Sequence, residues 1–128
     1  MSDTTPPQFQ SVLPAPTVRI FSDFDGTITG EDIGEELFRH FCGAEFFEDI
    51  RGRWNAGELT APEAYARLCA GSRGMTEETI GQFLDPYQVD PSFPRFAQWC
   101  GEAGYPLYIL SDGVDAYIQP LLQRANID

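Results

Sequence analysis

The run Val18-Arg19-Ile20-Phe21-Ser22 ends in Asp23-Phe24-Asp25-Gly26-Thr27, and this strand closed by two carboxylates constrains the chain more than any other stretch. In an extended segment, residues i and i+2 point to one face. Asp23 and Asp25 therefore start side by side at the carboxyl end of a strand. Gly26 permits a sharp turn there, which would leave the Gly26 and Thr27 amides facing an anion. Two acids, a turn and an amide nest are the parts needed to hold a divalent cation beside a phosphoryl group. One carboxylate can attack phosphorus and the other can move the proton. A solvated acidic turn is the plain alternative. A calcium loop of the EF-hand kind fails, because Thr27 replaces its third acid, Gly34 stands where its final Glu belongs, and a strand precedes it.

Only one other segment reads as a buried strand, Pro106-Leu107-Tyr108-Ile109-Leu110-Ser111. The first strand is expected over 17–24. Between the two, apolar residues recur at helical spacing: Ile33, Leu37, Phe38 and Phe41; Phe46, Phe47, Ile50 and Trp54; Tyr65, Leu68 and Cys69; Ile80, Phe83 and Leu84; Phe93, Phe96, Cys100 and Ala103. Thr60 and Glu63 form a capping box, Thr76 caps the next helix, and Ser92 is the expected cap of the one after. A last helix from Val114 to about Ala125 turns Tyr117, Ile118, Leu121 and Leu122 inward, with Pro120 expected to kink or restart it.

The fold class is thus α/β: two parallel strands joined by a helical crossover, a partial Rossmann-like core. The helices are too many for one crossover and would form an inserted cap. We divide the chain into a flexible, proline-rich arm (1–16), the partial core (17–30 and 90–128) and the helical cap insertion (31–89). Ligands in open α/β sheets bind at the carboxyl ends of the strands, where both motif-bearing loops fall. The second loop, Ser111-Asp112-Gly113, places a hydroxyl and a tight turn before a helix N-terminus, an arrangement suited to an anion.

The string Asp23-Phe24-Asp25-Gly26-Thr27-Ile28-Thr29 resembles motif I of the haloacid dehalogenase superfamily, specifically its phosphatases. The resemblance implies that Asp23 is the nucleophile that becomes phosphorylated and Asp25 the general acid/base. Gly26, Thr27, Ser111, Asp112 and Gly113 would bind the phosphate, Ser111 in the place of motif II. It also implies Mg²⁺, held by Asp23 and the Asp25 carbonyl. The closest look is to the phosphoserine-phosphatase-like branch, and within it to the methionine-salvage phosphatases acting on a methylthio-pentenyl phosphate. That likeness rests on Ile28-Thr29-x-x-Asp32, on Trp54…Gly57-Glu58-Leu59-Thr60, and on Pro106 to Asp115 with Tyr117…Pro120-Leu121-Leu122. Asp32 stands where phosphoserine phosphatases place a Glu against the substrate's ammonium. It is one methylene shorter, and it serves equally well as a dipole partner for the following helix. Arg51 and Arg53, beside Trp54, would meet a second anionic group on the substrate, or cover an apolar face as solvated arginines.

Motif III of the superfamily supplies a Lys and motif IV further acids. All eight basic residues of this chain are arginines, and neither motif is present. The expectation is a phosphomonoester hydrolase acting through an aspartyl-phosphate on a small phosphorylated metabolite, incomplete as given, with a C-terminal complement supplying motifs III and IV. A phosphotransferase or mutase of the same superfamily and a non-catalytic truncated module are the alternatives. The net charge of −12 argues against nucleic acid or an anionic membrane as partner. No run of about 18 apolar residues exists to span a membrane. The N-terminus lacks the pattern of a secretion signal, so a cytoplasmic protein is expected. Cys42, Cys69 and Cys100 are expected as buried structural thiols, and His40 as a packing or surface residue.

Overall fold

The computed structural model describes residues 18–127. The arm expected at 1–16 lies outside them. The order of elements is β1 (Ile20–Ser22), α1 (Ile33–Cys42), α2 (Ala44–Asn55), α3 (Ala61–Gly71), α4 (Glu77–Phe83), α5 (Phe93–Ala103), β2 (Leu107–Ile109) and α6 (Asp115–Arg124). β1 and β2 are parallel, with Ile20 opposite Leu107, Phe21 opposite Tyr108 and Ser22 opposite Ile109. Both strands are shorter than the sequence suggests. After β1 the backbone winds up at once, the amides of Thr27, Ile28 and Thr29 all donating to the carbonyl of Phe24. Before β2, Pro106 has no amide to extend the ladder.

Alternation along the strands sorts the sheet into two faces. Ile20, Ser22, Leu107 and Ile109 are half-buried, whereas Phe21 (56% exposed) and Tyr108 (44%) stack on each other in the open at 5.2 Å between ring centres. Among the described residues, one face is thus covered and the other is not.

α1 separates two apolar clusters. Ile33, Leu37 and Phe41, spaced four apart on one stripe, pack with Phe24, Ile28, Leu84, Phe93, Tyr117 and Leu121. Phe38, turned away from that stripe, packs with Phe47, Ile50, Leu59, Ala64 and Leu68. α1, α2 and α3 touch one another, while α4 lies on α6. There Arg124 donates through Nη1 to the carbonyls of Leu84 and Tyr87, at 2.9 Å each. The chain leaves and re-enters the strand-end region at one place, where Thr29 and Val89 form an isolated antiparallel bridge. The Asp90 amide donates to Ile28 O at 2.7 Å beside it.

The capping boxes at Thr60–Glu63 and Thr76–Thr79 are both formed. Gly43, at φ 89°, ends α1 and starts α2, a turn that a side chain would strain. Two local expectations fail, the Ser92 cap and the burial of all three thiols. Ser92 is itself helical and caps nothing; Asp90 instead accepts from its amide and its hydroxyl, at 2.9 and 2.6 Å, because the acid two residues earlier reaches both donors. Pro120 withholds an amide from the α6 ladder, and α6 does not restart there but runs on to Arg124. Of the three thiols only Cys100 is buried, Cys69 being exposed on α3 and Cys42 half-buried with its Sγ donating to Leu68 O. His40 is a packing residue, edge-on to Phe41. Among the described residues, no helix is long and apolar enough to cross a membrane.

Candidate active site

The strand register brings the two motifs together. Ser22 pairs with Ile109, and the Leu110 amide donates to Ser22 O at 2.9 Å, so Asp23 and Ser111 leave neighbouring strand ends. Asp23 is exposed, and its Oδ1 accepts the Phe24 amide at 2.8 Å. The Ser111 hydroxyl accepts the Gly113 amide at 2.9 Å, which fixes its oxygen and leaves its proton to be donated.

The amides of Gly26 and Thr27 do not face an anion as expected. Gly26 N donates to Glu31 O (3.1 Å) and to the Thr29 hydroxyl (3.2 Å), and Thr27 N donates to Phe24 O. The turn is tightened by its own hydrogen bonds. The buried Thr29 secures it, with a 2.7 Å bond from its hydroxyl to Glu31 O.

Asp25 is half-buried and held at both oxygens. Oδ1 accepts the amides of Ile33 (2.7 Å) and Gly34 (3.2 Å), at the N-terminus of α1, and Oδ2 accepts the Tyr117 hydroxyl at 2.5 Å. Its carboxyl is pushed above the usual carboxylate value. Burial is the main cause and the Asp32 charge adds to it, while the donors from Tyr117, Gly34 and Ile33 pull the other way. A carboxyl that holds its proton more readily than usual suits an acid that must deliver one.

Asp25 opens onto a cavity of about 320 Å³ between the strand ends and α1–α3. Phe38, Phe47, Trp54 and Leu68 give it apolar walls, and Asp32, Glu35, Asp112 and Arg51 give it charge. Asp23 and Ser111 are not among its lining residues. Arg51 pairs with Glu35 at 2.7 Å. Arg53 does not line the cavity; it lies near Glu58 at 3.6 Å, because the two residues from Arg51 to Arg53 turn the side chain by about 200° around the helix. Asp32 is the N-cap of α1, its Oδ1 accepting the Glu35 amide at 3.0 Å. Overhead, the Tyr65 hydroxyl donates to Asp112 O, and burial with nearby acids pushes that phenol up to about 12.

For a divalent metal, the donors offered are the Asp23 carboxylate and the Asp25 carbonyl, which accepts no hydrogen bond among the described residues. Both are hard oxygens of the type magnesium takes. The described residues contain no cluster of three acids, His or Cys that could complete a shell. Sequence reasoning did not find Tyr65 or Tyr117 as site residues. The available signal was a phenol in an apolar stripe, whose hydroxyl must find a partner when buried.

Curated relatives from Bacillus cereus and Bacillus anthracis, named 2-hydroxy-3-keto-5-methylthiopentenyl-1-phosphate phosphatase, are 31% identical over 108 residues. The match takes in 84% of this chain and 49% of each relative, so the chain spans about half their length. Among solved structures, a phospho-aspartyl intermediate analogue of phosphoserine phosphatase superposes with a TM-score of 0.67 at 16% identity, over 89% of this chain and 55% of that one. A phosphoserine phosphohydrolase-like protein from Francisella tularensis gives a TM-score of 0.66 at 19% identity, over 88% and 55%. These likenesses establish the fold. Residues 20–128, from β1 to the end, match the haloacid dehalogenase-like hydrolases, and the chain belongs to that family.

Proposed function

We propose that the chain carries the nucleophile and acid/base half of a magnesium-dependent phosphomonoester hydrolase. The observation that supports it most is the pairing of Asp23, Asp25 and Ser111 at two adjacent parallel strand ends, with Asp25 already held by three donors. Asp23 attacks phosphorus in line, forming its O–P bond as the ester O–P bond breaks. Asp25 gives its proton to the leaving alkoxide. It then takes a proton from the water that attacks the aspartyl-phosphate, which frees Asp23 and inorganic phosphate. Ser111 donates to a phosphoryl oxygen. The Asp23 carboxylate and the Asp25 carbonyl would hold magnesium, which would supply positive charge to offset the negative charge of the phosphate.

The substrate is a small phosphorylated metabolite whose leaving group is partly apolar, as is the compound in the Bacillus relatives' name. Four apolar side chains wall the cavity. Its acids, Asp25, Asp32, Glu35 and Asp112, outnumber its one cation, Arg51, which Glu35 already engages. A second anionic group is poorly received there, and Asp32 divides its carboxylate between the cap of α1 and the cavity wall. The fixed lysine and further acids of the superfamily come from a C-terminal complement.

The test is hydrolysis of p-nitrophenyl phosphate by the chain assembled with the C-terminal half of a Bacillus relative, with magnesium and with chelator. Magnesium-dependent turnover that Asp23→Asn removes is expected. Turnover indifferent to Asp23→Asn would sink this reading in favour of a non-catalytic module.

A further inference from the structure

We propose that Tyr117 is a positioning residue for Asp25, and that Gly34 and Gly113 are glycines in order to seat it. The inference rests on the reading of Asp25 as acid/base. Tyr117 is 1% exposed, in the stripe of α6 that faces the core, yet its hydroxyl reaches out of that stripe to Asp25 Oδ2. The two α1 amides grip only Oδ1, which leaves the carboxylate free to swing about that end. The tyrosine grips Oδ2 and fixes the plane. In this bond the phenol is the donor and the carboxylate the acceptor.

The glycines supply an independent observation. A Cβ at Gly113 would lie 1.9 Å from the Tyr117 hydroxyl oxygen and 3.1 Å from Asp25 Oδ2. A Cβ at Gly34 would lie 2.8 Å from the same hydroxyl. Neither glycine has the positive φ that would demand it on backbone grounds. Gly34 even sits in the first turn of a helix, where alanine is ordinarily preferred. What both positions share is the tyrosine oxygen between them. One hydroxyl thereby ties together the loop after β1, the loop after β2 and the first turn of α1.

Two measurements test this. In the chain by itself, Tyr117→Phe should move the Ile33 and Gly34 amide proton resonances upfield as Asp25 loses its fixed plane, with the thermal midpoint little changed. Gly34→Ala, which crowds the hydroxyl out while keeping the ring, should move the Ile33 resonance the same way and covers the case in which the first variant fails to fold. In the assembled enzyme, Tyr117→Phe should lower kcat/KM, which reports the phosphorylation step alone, roughly tenfold or more on an alkyl phosphate, whose poor leaving group needs the acid, and under about twofold on p-nitrophenyl phosphate. Unmoved or downfield Ile33 and Gly34 resonances, or equal losses of kcat/KM on both esters, would overturn the proposal. An assembled enzyme with no phosphatase activity would instead refute the functional reading, and the resonances would still decide the role of Tyr117.

Discussion

The Tyr65 hydroxyl donates to the backbone carbonyl of Asp112 across 47 residues of sequence, joining α3 to the loop after β2. It is a direct tie between the helices over the cavity and the strand-end loops beneath them. Tyr65 also packs edge-on against Trp54, at 5.5 Å between ring centres, so a change at the tie reaches an indole that lines the cavity.

Loosening that tie should be visible without turnover. Tyr65→Phe keeps the ring and removes the donor. Acrylamide should then quench Trp54 fluorescence more strongly than in the wild type, measured in a Trp99→Phe background. Equal quenching would mean that the hydroxyl holds nothing closed.

The same phenol sets an alkaline limit. An acid whose folded-state value lies above its unfolded one favours the fold while it stays protonated. For Tyr65 that stability is present below pH 10 and is lost as pH rises from there through about 12. Wild-type thermal stability should therefore fall between those pH values more steeply than that of Tyr65→Phe, by scanning calorimetry at fixed ionic strength.

Arg51 and Arg53 separate the cavity from the surface. Arg51→Met should reorder the preference among phosphate esters, because it removes the one cation on the wall and leaves Glu35 only its longer pair with Arg39. Arg53→Met should leave the order intact, since among the described residues it pairs with Glu58, in the open. A panel of alkyl and aryl phosphates, ranked by kcat/KM in the assembled enzyme, distinguishes the two.

Stability should depend on which side of the first motif is cut. Phe24 is fully buried in the cluster beneath the site, and Phe24→Ala should cost about 3–5 kcal/mol by urea unfolding. Phe21→Ser, on the open face of the sheet, should change stability little and improve solubility instead. Similar losses at both positions would mean that the outer face is packed in solution.

The sequence carried most of the architecture because its signals are local. Thr60–Glu63 and Thr76 lie beside the helices they cap, the apolar stripe of α1 repeats every turn, and Asp23 and Asp25 stand next to the strand that aims them. What it did not carry depends on distant partners. Nothing near Tyr117 in sequence announces Asp25, 92 residues away, or the clearance that Gly34 and Gly113 give it. The freedom assumed for the Gly26 and Thr27 amides failed for a related reason. Whether an amide in a tight turn is available depends on Glu31, Thr29 and Phe24 bending back to take it, which a motif does not disclose. Arg51 and Arg53 look alike beside Trp54 in the sequence, whereas helix rotation decides which of them reaches the cavity.

Expressed alone, the chain should hydrolyse phosphate esters at close to background rate. In-line attack brings the Asp23 carboxylate against a phosphate dianion, and a metal plus a fixed cation must offset that repulsion. The sequence has no lysine. Of its arginines, Arg39 and Arg51 are engaged by Glu35 and Glu48, and Arg124 by two carbonyls of the chain that returns from α4. Two protein oxygens hold magnesium weakly, and a net charge of −12 repels an anionic substrate before it arrives. Adding the C-terminal half of a Bacillus relative should raise turnover and tighten magnesium together, since one addition brings both the cation and the missing acids. Calorimetric magnesium titration alongside p-nitrophenyl phosphate assays checks this. Robust hydrolysis by the chain alone, abolished by Asp23→Asn, would show that one of its own arginines already plays the part assigned to the complement.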